Sequence, residues 1–219
     1  MEQAVRKATE DPKRRSRTRT ALIEAAKRLM SKRPGGGFSI DEVIREAVVA
    51  RGSFYNHFAG IDALVEHTLT TVQDDLYACI SASAEGSTDA PTILARGVAT
   101  TLRFGYSSPS SARVLLHIEP GLADPGAHGS EQLSRTLALG LAGGQFKLPS
   151  LDVGVVSVLG ICAMGLSRML DLHHEYTAVR ELTQGLCVAV LRSVSVDARR
   201  IDKLARDAVL VCFEVPLGR

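Results

Sequence analysis

Along most of the chain, apolar residues recur three and four positions apart, the period of an α-helix that turns one face to a core. From Thr18 onward, Ala21, Leu22, Ala25, Ala26, Leu29 and Met30 share one stripe, and Arg17, Glu24, Lys27 and Arg28 take the opposite face. Pro34-Gly35-Gly36-Gly37 stops this first helix, because proline cannot continue it and glycine accommodates the reversal. Ser39-Ile40-Asp41-Glu42 follows as a capping box. In that arrangement the Ser39 hydroxyl accepts from the Glu42 backbone N–H, and the Glu42 carboxylate accepts from the backbone of Ser39. Ile40, Val43, Ile44 and Ala47 give a second, short helix one apolar face. After Val48-Val49-Ala50 comes Arg51-Gly52-Ser53-Phe54-Tyr55-Asn56-His57-Phe58, dense in hydrogen-bonding side chains and closed by Ala59-Gly60.

A longer helix is expected from Asp62 to about Ala84, with Leu64, Val65, Leu69, Val72, Leu76 and Ile80 as its stripe. Further helices are expected over 90–106, 110–122, 129–143, 151–174, 177–194 and near 197–212, separated by Ser-, Gly- and Pro-rich breaks. No segment alternates with the period of a strand, and no repeat or low-complexity tract is present. The chain therefore reads as all-α. Residues 1–16 are expected to form a basic, disordered arm, 17–61 a three-helix domain, and 62–219 a larger helical body.

Composition sharpens this picture in three ways. Aromatic residues make up 5% of the chain and Trp is absent, so aliphatic side chains must build the core. Residues 1–33 hold 11 Lys and Arg against 4 Asp and Glu, a local charge of +7, and the remainder carries 15 against 20. A basic N-terminus on a mildly acidic body suits a polyanion bound at one end. Cys79, Cys162, Cys187 and Cys212 are scattered without ligand spacing, which argues against a disulfide framework or structural zinc. The start of the chain lacks the apolar stretch of a signal peptide. The longest uncharged run, Val153–Ser167, is 15 residues, shorter than the roughly 20 that span a bilayer. A cytoplasmic protein with no membrane partner is the expectation.

Two amphipathic helices holding a short third one outward, within about fifty residues, have the form of a helix-turn-helix. The third segment must offer hydrogen-bonding groups to base edges and phosphates, as Arg51, Ser53, Tyr55, Asn56 and His57 can. Gly52 would let a phosphate approach the backbone closely. Phe54 and Phe58, four residues apart, would anchor the segment to the core below.

From Thr18 to about Leu69 the sequence resembles the DNA-binding domain of the TetR family of bacterial repressors. The Gly52-Ser53-Phe54-Tyr55-Asn56-His57-Phe58 run, with Leu64 beyond it, carries the likeness. The resemblance implies phosphate contacts from Ser39, Tyr55 and His57, and base or nearby backbone contacts from Arg51, Ser53 and Asn56. Arg14, Arg15, Arg17 and Arg19 would add phosphate or minor-groove contacts, which give affinity and salt dependence rather than specificity. Three positions depart from the family pattern. Val48 stands where the turn glycine is usual, Ala50 where a serine cap is usual, and Ile61 where a lysine precedes Leu64.

The resemblance also implies that the helical body binds a small effector and pairs with a second copy through its last two long helices, here 151–174 and 177–194. Gly154, Gly160, Ala163 and Gly165 would permit close helix contact there. Candidate effector contacts are Arg103, Tyr106, His117, Met164 and Arg168. Partners are then palindromic operator DNA, a second copy of the chain, and an unidentified small molecule. No cofactor is expected, nor a metal: neighbouring side chains in His173-His174-Glu175 point about 100° apart on a helix. No Ser/His/Asp, Cys/His or paired-carboxylate arrangement marks an enzyme. The function expected is a ligand-responsive regulator, by resemblance a repressor released from its operator by the effector. The alternative is a nonspecific nucleic-acid-binding or dimeric interaction protein with a degenerate helix-turn-helix.

Overall fold

The computed structural model describes residues 12–33, 37–116, 130–172 and 175–214, and among these residues the regular structure is entirely α-helical. The chain divides into two compact units, Met1–Thr70 and Thr71–Arg219.

In the first unit, α1 (Pro12–Lys32), α2 (Ile40–Ala47), α3 (Arg51–Tyr55) and the start of α4 (Ile61–Ala84) surround a small core. Leu22, Ala25, Ala26, Val43, Phe54 and Leu64 are fully enclosed there. Helix α1 begins six residues before the apolar period does. Its opening turns are basic and exposed, so no hydrophobic stripe announces them. Proline suits a first helical position, and Lys and Arg are good helix formers. Residues 12–16, read above as part of a disordered arm, are thus helical, while 1–11 lie outside the described residues. Ion pairs tie α1 and the residue just past it to α2: Arg28 Nε to Glu46 Oε1 at 2.6 Å, and Arg33 Nη1 to Glu42 Oε1 at 2.7 Å.

The second unit is built around α5 (Ala90–Ser107), which packs against α6 (Pro109–Leu115), α7 (Glu131–Ala142), α8 (Leu151–Asp171), α9 (Tyr176–Ser193) and α10 (Ala198–Glu214). Asp89 caps α5 by accepting from the Thr92 N–H at 3.1 Å. The same carboxylate accepts from Arg200 of α10 at 2.8 and 2.9 Å and from Gln145, between α7 and α8, at 2.9 Å. Glycines let helices meet closely. A Cβ on Gly105 would stand 2.5 Å from the Leu166 side chain, and one on Gly165 would overlap Leu186.

Helix α8 is longer than its uncharged run because Asp152, Arg168 and Asp171 belong to it. At 21 residues it is long and apolar enough, by length and composition, to cross a bilayer. One face, including Val155, Val158, Cys162, Leu166 and Met169, is buried inside the unit. Gly154 and Gly165, expected at a contact with another copy, are spent within the unit against Leu148 and Leu186. The face left exposed carries Val153, Val156, Gly160 and Met164.

Candidate functional site

Helix α2, which ends in the turn to α3, begins from a complete capping box: Ser39 Oγ accepts from the Glu42 N–H at 3.2 Å, and Glu42 Oε2 accepts from the Ser39 N–H at 2.9 Å. The Ser39 hydroxyl also donates to Glu42 Oε2 at 3.1 Å. Both donors of Ser39 are therefore turned to Glu42, and a phosphate would have to draw one away. The backbone hydrogen bond from Ser39, followed by the Arg33 guanidinium, holds the Glu42 carboxyl below the ordinary carboxylate value.

At the end of α2 the chain reverses through Val48, whose φ of 54° and ψ of 49° are left-handed. A β-branched side chain rarely adopts this conformation, which glycine enters freely. Val48 is 89% exposed, so no packing repays the strain. Ala50 then occupies the N-cap of α3 with extended backbone and no side-chain cap.

Helix α3 is held from beneath by Phe54 and Phe58, both buried, with ring centroids 6.0 Å apart. Their inward direction turns Arg51, Gly52, Tyr55 and Asn56 outward, while Ser53 and His57 are half-buried. Arg51 Nη1 lies 2.6 Å from Asp41 Oδ1 of α2. A Cβ on Gly52 would meet nothing within 4 Å, so nothing in the fold requires glycine there. Arg17 and Arg19 are exposed on α1, and the Arg19 guanidinium lies over the Phe58 ring at 5.6 Å. Ile61, at the family's lysine position, packs against the core.

The second unit holds a cavity of about 460 Å³ lined by α4, α5, α7, α8 and the end of α6. Of the effector candidates, Met164 lines it, while Arg103, Tyr106 and Arg168 do not. Arg103 donates to the Ser107 hydroxyl and lies over the rings of Tyr106 and Phe213 at 5.9 and 5.8 Å. Tyr106 also packs against Tyr176 at 5.9 Å. Arg168 faces Asp171 on an exposed helix end, 3.8 Å away. His117 falls outside the described residues. The polar lining that sequence inspection did not single out comprises Gln73, Tyr77, Thr101, Gln132 and Thr136. Among the described residues no group of three or more His, Cys, Asp or Glu is placed to hold a metal ion.

Residues 22–68 match the model of the bacterial regulatory proteins of the tetR family. The fold recurs in solved structures of low sequence identity. RolR, crystallised in complex with the ligand resorcinol, is 20% identical, with a TM-score of 0.58 over 95% of this chain and 99% of that one. The TetR family protein CprB from S. coelicolor A3(2) is 17% identical, with a TM-score of 0.66 over 90% of this chain and 98% of that one. A gamma-butyrolactone receptor described as an ArpA-like protein is 17% identical, with a TM-score of 0.63 over 92% and 100%.

Proposed function

Because the chain belongs, by its helix-turn-helix domain, to the tetR family of bacterial regulatory proteins, we propose that it is a ligand-responsive, operator-binding transcriptional repressor acting as a cytoplasmic homodimer. The observation that carries the DNA-reading half is the outward set Arg51, Tyr55 and Asn56, fixed by the buried pair Phe54 and Phe58. Exposed hydrogen-bonding side chains on a short helix, backed by a packed core, are what a major groove reads. In this reading Arg51, Ser53 and Asn56 address bases or adjacent backbone. Tyr55, His57, Ser39, Arg17 and Arg19 address phosphates, and Gly52 leaves room for one.

Two copies would pair through the exposed apolar face of α8, where Val153, Val156 and Met164 are 46%, 53% and 67% exposed, together with α9. Pairing would remove that stripe from water and match a twofold operator with half-sites about 34–36 Å apart or a multiple of it. The small molecule would enter the cavity of the second unit. Helix α4 contributes Leu64 to the core of the first unit and Leu76, Tyr77 and Ile80 to the cavity, so a ligand in the cavity touches the helix that also serves the reading domain. Coupling of this kind is reciprocal: operator weakens ligand binding by the factor by which ligand weakens operator binding.

Selection of binding sites from a random DNA library, with purified protein at near-physiological salt, tests the reading. A palindromic consensus, lost with Tyr55→Ala or Asn56→Ala, is the expected result. Salt-labile binding to every sequence, with no consensus, would instead identify a nonspecific nucleic-acid binder.

A further inference from the structure

The cavity of the second unit presents a defined set of polar groups in an otherwise apolar wall. Among the described lining residues none is Asp, Glu, Lys, Arg or His. The polar members are Gln73, Tyr77, Thr101, Gln132 and Thr136, with the buried Cys162 thiol beside them. The remainder, including Leu76, Ile80, Ile93, Val98 and Leu133, is apolar. An ion carried to the buried wall of Leu76, Leu94, Val98 and Leu166 would lose water without gaining a counter-charge from any described lining residue.

The hydrogen-bonding capacity of the wall is uneven. The Thr101 hydroxyl already donates to the Gly97 carbonyl at 2.9 Å, and the Thr136 hydroxyl to the Gln132 carbonyl at 3.0 Å. Each keeps lone pairs and has committed its proton. The Gln132 amide donates to Ser81 Oγ at 3.0 Å, leaving its carbonyl oxygen available. Thr101 and Thr136 therefore offer acceptors, Gln132 an acceptor and one further N–H, and Gln73 and Tyr77 carry donors of their own. Tyr77 is a neutral hydroxyl throughout the physiological range, since burial and the nearby Asp74 carboxylate push it up to about 12. The Cys162 thiol, likewise pushed up to about 12 by burial, adds no anion.

Resting on the reading of this cavity as the effector site, we propose that its ligand is an uncharged, largely hydrocarbon molecule carrying at least one hydroxyl group, such as a phenol or an alcohol. The hydroxyl donates to the acceptors of Thr101, Thr136 and Gln132, and the apolar body fills the space between α4, α5, α7 and α8. A carboxylate of the same shape, an acceptor only and charged, meets the Thr101 and Thr136 acceptors and, among the described lining residues, no cation, and is rejected. An ether of the same shape fills the space and leaves the acceptors unmet.

The test uses the full chain without DNA and three matched molecules: 4-pentylphenol, 4-pentylanisole and 4-pentylbenzoate. Each competes against the neutral fluorescent probe N-phenyl-1-naphthylamine. The phenol is expected to displace the probe at concentrations about tenfold or more below the benzoate, and severalfold below the anisole. Thr136→Val with Thr101→Val, which keeps shape and removes two acceptors, should erase the margin of phenol over anisole. Gln73→Arg, at a half-buried position, should move the preference toward the benzoate. If the benzoate competes as well as the phenol, if phenol and anisole are equal, or if the probe is not taken up, the inference is wrong. A phenol that displaces the probe yet leaves a selected operator bound would keep the ligand class and remove the coupling to DNA.

Discussion

The Arg51 guanidinium meets the Asp41 carboxylate at 2.6 Å, so the longest side chain on α3 is held by an acid from the preceding helix. Both side chains are 58% exposed, and an exposed pair contributes little to stability. Asp41→Asn should leave the unfolding temperature nearly unchanged while tightening binding to random duplex DNA, because one anion is lost beside Arg51. Fluorescence anisotropy at two salt concentrations measures this. Unchanged affinity for random duplex would place Arg51 away from the DNA.

Val48→Gly should stabilise the protein by about 1 kcal/mol. Left-handed backbone costs an L-residue roughly 1–2 kcal/mol, and glycine's extra freedom in the unfolded chain returns part of that. Since Val48 is 89% exposed, no buried contact is lost. Thermal or urea unfolding decides it, and a destabilised variant would show that the valine side chain has a role the fold does not reveal.

Ala50→Ser adds the missing cap of α3. The extended backbone at this position, φ −74° and ψ 149°, already suits a cap whose oxygen accepts from the Ser53 N–H. The expected gain is about 1 kcal/mol. Amide hydrogen exchange at Ser53 should slow; exchange as fast as in the parent would mean the cap does not form.

Gly52→Ala separates folding from reading. Nothing lies within 4 Å of the added methyl, and alanine favours a helix over glycine by about 1 kcal/mol, so stability should rise. Operator affinity should fall, because the methyl occupies the space left for a phosphate. A variant both more stable and undiminished in binding would show that DNA does not approach here.

Acid should loosen the first unit through Glu42. Its folded carboxyl sits below the ordinary value of 4.5, chiefly by the hydrogen bond from Ser39. The stabilisation is therefore complete above that value and is lost as pH falls through the lower folded one. Glu42→Ala should lower the unfolding temperature at neutral pH and flatten its decline below about pH 4.5. Parallel pH profiles for parent and variant would remove Glu42 from the account.

The first unit was legible in the sequence because its elements carry local signals. The capping box at Ser39, the Phe54–Phe58 spacing and the closing Gly60 each fix backbone through neighbours a few residues away. The start of α1 was not, since Lys13 to Arg17 form helix without burying a face. Val48 could be marked as a departure, but only backbone angles reveal that the valine takes the glycine conformation rather than rerouting the turn. The cavity was illegible for another reason. Its polar groups come from three helices, Gln73 and Tyr77 from α4, Thr101 from α5, and Gln132 and Thr136 from α7. The four-residue spacing within the two pairs is that of any helix face, so only the packing of the helices marks them. Arg103 and Tyr106 stood out as charge and aromatic on one helix end, and that end turns to Phe213 and Tyr176 instead.

The placement of the four cysteines gives the native chain a built-in attachment point. Cys162, Cys187 and Cys212 are buried, and only Cys79, on α4, is partly open. Burial, with Asp75 beside it, raises the Cys79 thiol above the ordinary value, so alkylation there is slow and favoured by mildly alkaline buffer. A maleimide dye would label one position without any substitution, one residue from the cavity-lining Ile80. A reporter so placed could follow ligand entry in real time in the unaltered protein.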